Sequence, residues 1–169
     1  RIVAAVAESP VEGRAAFTFD DGNKSDIEIA APILKGHGMK AAFFVLAGRL
    51  DTPGSLSRAD VKQLQQDGME IGSHGFDHVD WKKLDASGKK REWEDARRMI
   101  AEVTGSEINS AAIPFGSYDA GVISSLQALE NQHGPPEKDS QRQHRSTLDC
   151  VACRFRRAAD RSEGLVWRC

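Results

Sequence analysis

The sequence predicts an α/β fold in which a parallel sheet or barrel carries its reactive groups at one edge. Three observations lead there. Short apolar runs alternate four times with longer stretches of helical periodicity. The connections between them are short, as successive βα units require. The polar clusters richest in chemistry directly follow the apolar runs, and parallel sheets and barrels present their chemistry at the carboxyl ends of their strands.

Each element has its own justification. Residues 14–19, RAAFTF, form an apolar run that enters Asp20-Asp21-Gly22 and reads as a buried strand opening into a loop. Residues 25–35 carry Ile27, Ala30, Ala31 and Leu34 at helical spacing, closed by Gly36 and Gly38. Residues 40–46, KAAFFVL, read as a second strand. Ser57 caps a helix that Gly68 stops. Residues 69–73, MEIGS, form a third short strand that runs into His74. A longer helix over 87–103 sets Trp93, Ala96, Ile100 and Val103 along one stripe, with Gly105 after it. Residues 108–113 read as a weaker fourth strand ending in Pro114-Phe115-Gly116, and Asp119 caps a helix through Leu129.

The whole chain of 169 residues is 40% hydrophobic and 28% charged, a globular balance that excludes wholesale disorder. No stretch approaches the ~18 to 20 apolar residues of a membrane span. A net charge of −2 gives no electrostatic footing for a general nucleic-acid or membrane-surface role. The chain opens at Arg1 without a Met. Ala5-Val6-Ala7 has the small-residue form of a cleavage site, but too little precedes it for a leader, and a leading strand or a cut is the expectation.

The totals conceal a seam after Glu130. Residues 1–130 carry −5, whereas residues 131–169 carry +3 and hold all three cysteines, Cys150, Cys153 and Cys169. Only Leu148, Val151, Phe155, Leu165 and Val166 supply large aliphatic or Phe side chains there, and Pro135-Pro136 interrupt any regular element. Residues 131–169 are therefore expected to form an atypical tail, disordered or read in a shifted frame, that does not complete the fold. Cys150 and Cys153 lack the second pair or spaced histidines of a zinc site. The basic tail lacks the interleaved aromatics of a nucleic-acid binder.

Two clusters carry the chemistry. Asp20 and Asp21 are adjacent carboxylates after the first strand, and Asp21-Gly22 also has the composition of a plain turn. Ser73-His74-Gly75-Phe76-Asp77-His78 follows the third strand. Its two histidines, four apart, can converge on one metal if the stretch forms a helical turn or a tight loop. His37, between two glycines, reads as surface. Two imidazoles and one carboxylate suit a divalent metal with open positions, and a spare carboxylate alongside can act as general base. That is a toolkit for hydrolysing an amide or ester. Non-haem iron oxygenases share the two-His, one-carboxylate set but do not need the extra Asp.

Thr18-Phe19-Asp20-Asp21-Gly22 and Ser73-His74-Gly75-Phe76-Asp77-His78 resemble the first two motifs of the polysaccharide deacetylases, the NodB-homology proteins of carbohydrate esterase family 4. The resemblance covers about residues 11–130. It implies a distorted (β/α) barrel, here incomplete on its C-terminal side, with residues 1–130 as the deacetylase domain. It further implies Asp20 as catalytic base and Asp21, His74 and His78 as ligands of a divalent metal, usually Zn2+, sometimes Co2+. The substrate would be an acetylated oligo- or polysaccharide, losing N- or O-acetyl groups. Ala112-Ile113-Pro114-Phe115-Gly116 matches the third family motif except that Ala112 replaces its Arg, which in the family steadies the catalytic Asp. Pro114, Phe115 and Gly116 inherit the oxyanion and substrate role through the Phe115 backbone N–H, which survives any side-chain change. The late motifs, including the L-x-H whose His serves as general acid, have no counterpart: neither His133 nor His144 has the right context. The alternative is thus a truncated or non-catalytic pseudoenzyme that retains the metal and sugar site.

Overall fold

A computed structural model describes residues 16–132. They form a three-stranded parallel sheet in the order β1-β2-β3, with β1 Phe17–Phe19, β2 Ala41–Val45 and β3 Glu70–Ser73. Phe19 pairs with Phe43, and Phe43 with Ile71, so the strands run in step and all end at the same edge. β2 reads AAFFV and is buried throughout, as a strand covered on both faces must be. β1 departs from the expected buried strand: Phe17 is 38% exposed, because among the described residues β1 is an edge strand with only β2 beside it. The predicted start of this strand, before residue 16, lies outside the described residues.

The helices follow the predicted order. The first, α1, combines a wide-turn (π) stretch Asp26–Ala30 with an α-helical stretch Ala31–Gly36. Pro32 explains the change: it has no N–H to give and its ring crowds the preceding turn, so the ladder widens upstream, with the Ala31 N–H reaching back to the Asp26 carbonyl. Next comes α2, Arg58–Gln66. Its Ser57 cap is reciprocal: the Asp60 N–H donates to Ser57 Oγ (3.1 Å) and the Ser57 N–H to Asp60 Oδ2 (2.8 Å). The long helix α3 runs through Ala86–Lys89, a second wide-turn stretch Lys90–Asp95, and Ala96–Thr104. It starts one residue earlier than the sequence suggests, because Asp85 accepts the Gly88 N–H (2.7 Å) as its cap. The last helix, α4, is Ala120–Gln132, capped by Asp119 as expected through the Val122 N–H (2.9 Å). No helix of the described residues is long and apolar enough to cross a membrane.

The fourth strand is the clearest departure. Residues 108–113 contribute one parallel bridge, Ser73 to Ala111, through the Ser73 N–H to the Ser110 carbonyl and the Ala112 N–H to the Ser73 carbonyl (2.9 Å each). Upstream, Arg97 Nε takes the Ile108 carbonyl (2.8 Å), and Pro114 ends the run downstream.

The main core packs Phe43, Val45 and Ile71 of the sheet against Leu34, Leu64 and Ile100 of the helices. A second cluster joins Trp81, Trp93, Ile113, Val122 and Leu126, with the two indoles edge to face at 5.9 Å. The fold therefore presents the carboxyl ends of β1, β2 and β3 together, with α3 packed beneath the loop that follows β3.

Candidate metal centre

The loop after β1 turns at once. Asp21 has a left-handed backbone (φ 74°), and so does Gly22 after it. The loop is pinned where the Leu56 N–H donates to the Gly22 carbonyl (2.9 Å) and the Lys24 N–H to the Gly54 carbonyl (2.8 Å). Asp26 accepts the Asn23 N–H (3.0 Å) from a nearly buried position. Burial pushes its carboxyl up to about 6; the Asn23 N–H works against this, and the charges of Asp21 and Asp20 add to it.

The loop after β3 is not a helical turn. It is a tight loop that reverses at Gly75 (φ 90°) and again at His78 (φ 58°). Its backbone is held on both sides. The His74 N–H donates to the Val45 carbonyl (2.9 Å); the carbonyls of Gly75 and Phe76 accept from the Ala47 and Gly48 N–H groups (3.0 Å each). The N–H groups of Phe76 and Asp77 donate to Glu92 Oε2 and Oε1 (2.8 and 2.9 Å). Arg91 clasps the Asp77 carboxylate and lies over the Phe76 ring, 3.8 Å from its centroid.

These two loops bring Asp21, His74 and His78 together, with one donor atom from each within 4.8 Å of the others. The Asp21 Oδ1 stands 3.5 Å from His74 Nε2 and 3.4 Å from His78 Nε2. These separations are long for hydrogen bonds. Two ligands each ~2.1 Å from a tetrahedral ion stand about 3.4 Å apart. The same Oδ1 is buried without a hydrogen-bond partner, which marks it as an acceptor awaiting a cation. The three residues thus fit a divalent ion in both donor chemistry and spacing.

His74 is buried, and its Nδ1 lies 3.0 Å from the Ala112 carbonyl. A carbonyl only accepts, so Nδ1 carries the proton and the Nε2 lone pair faces Asp21. Burial holds His74 below the ordinary histidine range, against the charge of Asp20 and the Ala112 carbonyl, and so keeps it in the neutral form that ligates. The protein around the Asp20 carboxyl raises its pKa; His74 opposes this, and the charge of Asp21 adds to it. Asp20 stays open to solvent beside Asp21.

The Pro114–Gly116 turn borders the same site. Phe115 is left-handed (φ 61°), 70% exposed, and meets the His78 ring edge on at 4.5 Å. Of the four described non-glycine residues with positive φ, three (Asp21, His78 and Phe115) lie here, a concentration of backbone strain at one place. His37 is exposed, as expected, and precedes β2 at the end opposite the site. His133, His144 and the cysteines lie outside the described residues. Sequence reasoning passed over Glu92 and the carbonyl of Ala112. The signal for Glu92 was present: it falls on the same helical stripe as Ala96, Ile100 and Val103, a carboxylate on a face otherwise apolar.

Parallel strands flanked by helices, with an Asp-His-His constellation at their carboxyl ends, define an α/β protein with a candidate metal-dependent hydrolytic site. The chain belongs to the polysaccharide deacetylase family, whose family model matches residues 7–134. It is 28% identical over 123 residues to the peptidoglycan-N-acetylglucosamine deacetylase PgdA of Listeria monocytogenes, covering 72% of this chain and 25% of that protein. It is also 28% identical over 127 residues to a chitin deacetylase of Arthroderma benhamiae, covering 74% and 34%. The chain spans less than half the length of these relatives. Among solved structures, the Streptococcus pyogenes deacetylase PplD, in complex with acetate, shares the fold with a TM-score of 0.68 at 22% identity, over 76% of this chain and 58% of that one.

Proposed function

We propose that this chain carries the metal-binding and base-bearing part of a carbohydrate deacetylase that hydrolyses acetyl groups on N-acetylated, or O-acetylated, saccharides. The observation that carries the reading is the convergence of Asp21, His74 and His78 around an unpartnered carboxylate oxygen, with a second carboxylate, Asp20, next to it. The relatives named above act on peptidoglycan N-acetylglucosamine and on chitin, which supports an acetylated amino-sugar polymer as the substrate class.

The chain's own groups divide the work. Asp21, His74 and His78 would hold the ion, and two imidazoles with one carboxylate favour Zn2+, with Co2+ a workable substitute. The ion would supply Lewis-acid polarisation of the acetyl carbonyl and acidify the attacking water. Asp20, the second carboxylate beside the ligand set, would take the proton of that water. Ala112 fixes the tautomer of His74 through its backbone carbonyl, which does not depend on the side chain at that position. The Phe115 N–H serves the developing oxyanion, with Pro114 and Gly116 setting its turn. The exposed ring of Phe115 offers apolar surface beside His78 to a sugar face. In this reading residues 1–130 are the deacetylase domain of a distorted, incomplete (β/α) barrel, and residues 131–169 a tail outside it.

The test is acetate release from N-acetylglucosamine oligomers by metal-stripped, Zn2+-reloaded and Asp20→Asn protein. Activity should require metal. Asp20→Asn should retain the ion and lose turnover, because an amide cannot take the water's proton. Turnover in stripped protein would refute metal dependence, and turnover in Asp20→Asn would remove Asp20 as base.

A further inference from the structure

We infer that Glu92 is a positioning residue of the metal centre: from inside the protein, its carboxylate sets the span between His74 and His78. This rests on reading those histidines as ligands, and it adds a group that touches neither ion nor substrate.

Glu92 is 2% exposed, an unusual place for a carboxylate. It lies in the wide-turn stretch of α3, where Glu92 and Trp93 are both buried. Its two oxygens face two consecutive N–H groups, those of Phe76 and Asp77. Successive backbone N–H groups aimed at one anion form a cradle that only an acceptor at both points can fill. These two residues lie between His74 and His78, with Asp77 directly before His78.

The opposite side of the loop is fixed as well, by Ala47 and Gly48 on the carbonyls of Gly75 and Phe76. The segment is therefore clamped between the end of β2 and α3. His74 has two further ties, its N–H to Val45 and its ring to Ala112. Among the described residues His78 has neither of these hydrogen bonds; its ring meets Phe115 edge on, and its backbone is held in a left-handed conformation that a free loop would abandon. Its position depends on the clamp. Gly75 records the same fit: a Cβ there would lie 2.4 Å from Glu92 Oε2, so the carboxylate fills the space that a side chain would need.

Replacing Glu92 by Gln keeps size and shape but offers one acceptor and one donor to two donors. One backbone N–H is then left facing an N–H2 group in a buried site, and the loop must open to relieve it. His78 moves with it, and a metal site tolerates little movement of a ligand.

The experiment titrates the whole 169-residue chain with Zn2+ alone, by calorimetry or chelator competition, and records the visible absorption of the Co2+ form. Three proteins are compared: wild type, Glu92→Gln, and Leu64→Ala. Leu64 is buried in α2 within the main core and its side chain makes none of the hydrogen bonds that clamp the loop, so its truncation lowers stability while leaving those bonds in place. Glu92→Gln should weaken Zn2+ binding about 10- to 100-fold, the range for lost support of a metal ligand, and reduce or shift the Co2+ bands. Leu64→Ala should melt earlier yet bind Zn2+ within about threefold of wild type. Equal Zn2+ affinity in Glu92→Gln and wild type would overturn the inference, as would equal losses in Glu92→Gln and Leu64→Ala. If Glu92→Gln does not fold, Glu92→Asp, which keeps the charge but cannot span both N–H groups, is judged by the same criteria. Failure of wild type itself to bind Zn2+ would instead refute the metal reading beneath it.

Discussion

Replacing Asp21 by Gly should stabilise the metal-free protein and destabilise the metal-loaded one. Two costs attach to Asp21 when no cation is bound. Its backbone is left-handed, at about 1 kcal/mol for an L-residue, and Gly adopts the same conformation freely. Its Oδ1 is buried without a partner, at about 1–3 kcal/mol for an unsatisfied group, toward the lower end because the side chain is 36% exposed. Asp20 beside it also loses a like charge. Together these predict a gain of about 2 kcal/mol in chelator, roughly 6 °C in melting temperature for a domain of this size. In Zn2+ at a thousandfold excess over its Kd, wild type gains about 4 kcal/mol that the variant cannot. The order should therefore invert, with the variant about 2 kcal/mol below wild type. Urea unfolding of both proteins, with EDTA and with Zn2+, measures all four values. A variant less stable than wild type in EDTA would refute the strain and desolvation reasoning. Equal Zn2+ stabilisation of both proteins would refute Asp21 as a ligand.

Two further predictions test the scaffold and the chain's organisation. Asp60 accepts from Lys24 Nζ (2.7 Å), the Ser57 N–H and Ser57 Oγ; burial alone would raise its pKa, but these donors hold it below the ordinary aspartate value. Asp60→Ala should cost about 1–2 kcal/mol near neutral pH through the lost capping box and partly exposed ion pair. Because the folded pKa is depressed, that stabilisation is present above the unfolded value and is lost as pH falls through the folded one. Wild type and Asp60→Ala should therefore converge in acid, and a difference that persists at pH 2 would contradict the assignment. Limited trypsinolysis should cut residues 131–169 rapidly at their seven arginines while residues 16–130 persist; a tail as resistant as the front part would show that it belongs to the folded domain.

The residues determined a good deal by themselves. Apolar runs entering Asp20-Asp21 and His74 announced strand ends, although β1 is more exposed than its apolar run predicts. Ser57 and Asp119 announced helix starts, since a side-chain oxygen before a periodic run satisfies orphan N–H groups. These signals are local, carried within a few residues of the feature they specify. What only the tertiary structure decided is non-local. The donor atoms of Asp21, His74 and His78 come within 4.8 Å because β1 and β3 run parallel on either side of β2 and send their following loops to the same carboxyl edge. The fourth strand shrinks to one bridge, with Arg97 of a helix donating to the Ile108 carbonyl just upstream of it. Ala112 orients His74 through a carbonyl that every residue type possesses, so no sequence pattern could single it out. Glu92 meets the N–H groups of residues fifteen and sixteen positions earlier, and that meeting depends on how α3 docks beneath the loop. Side-chain pattern encodes which groups are available, while the packing of strands and helices sets which of them face each other.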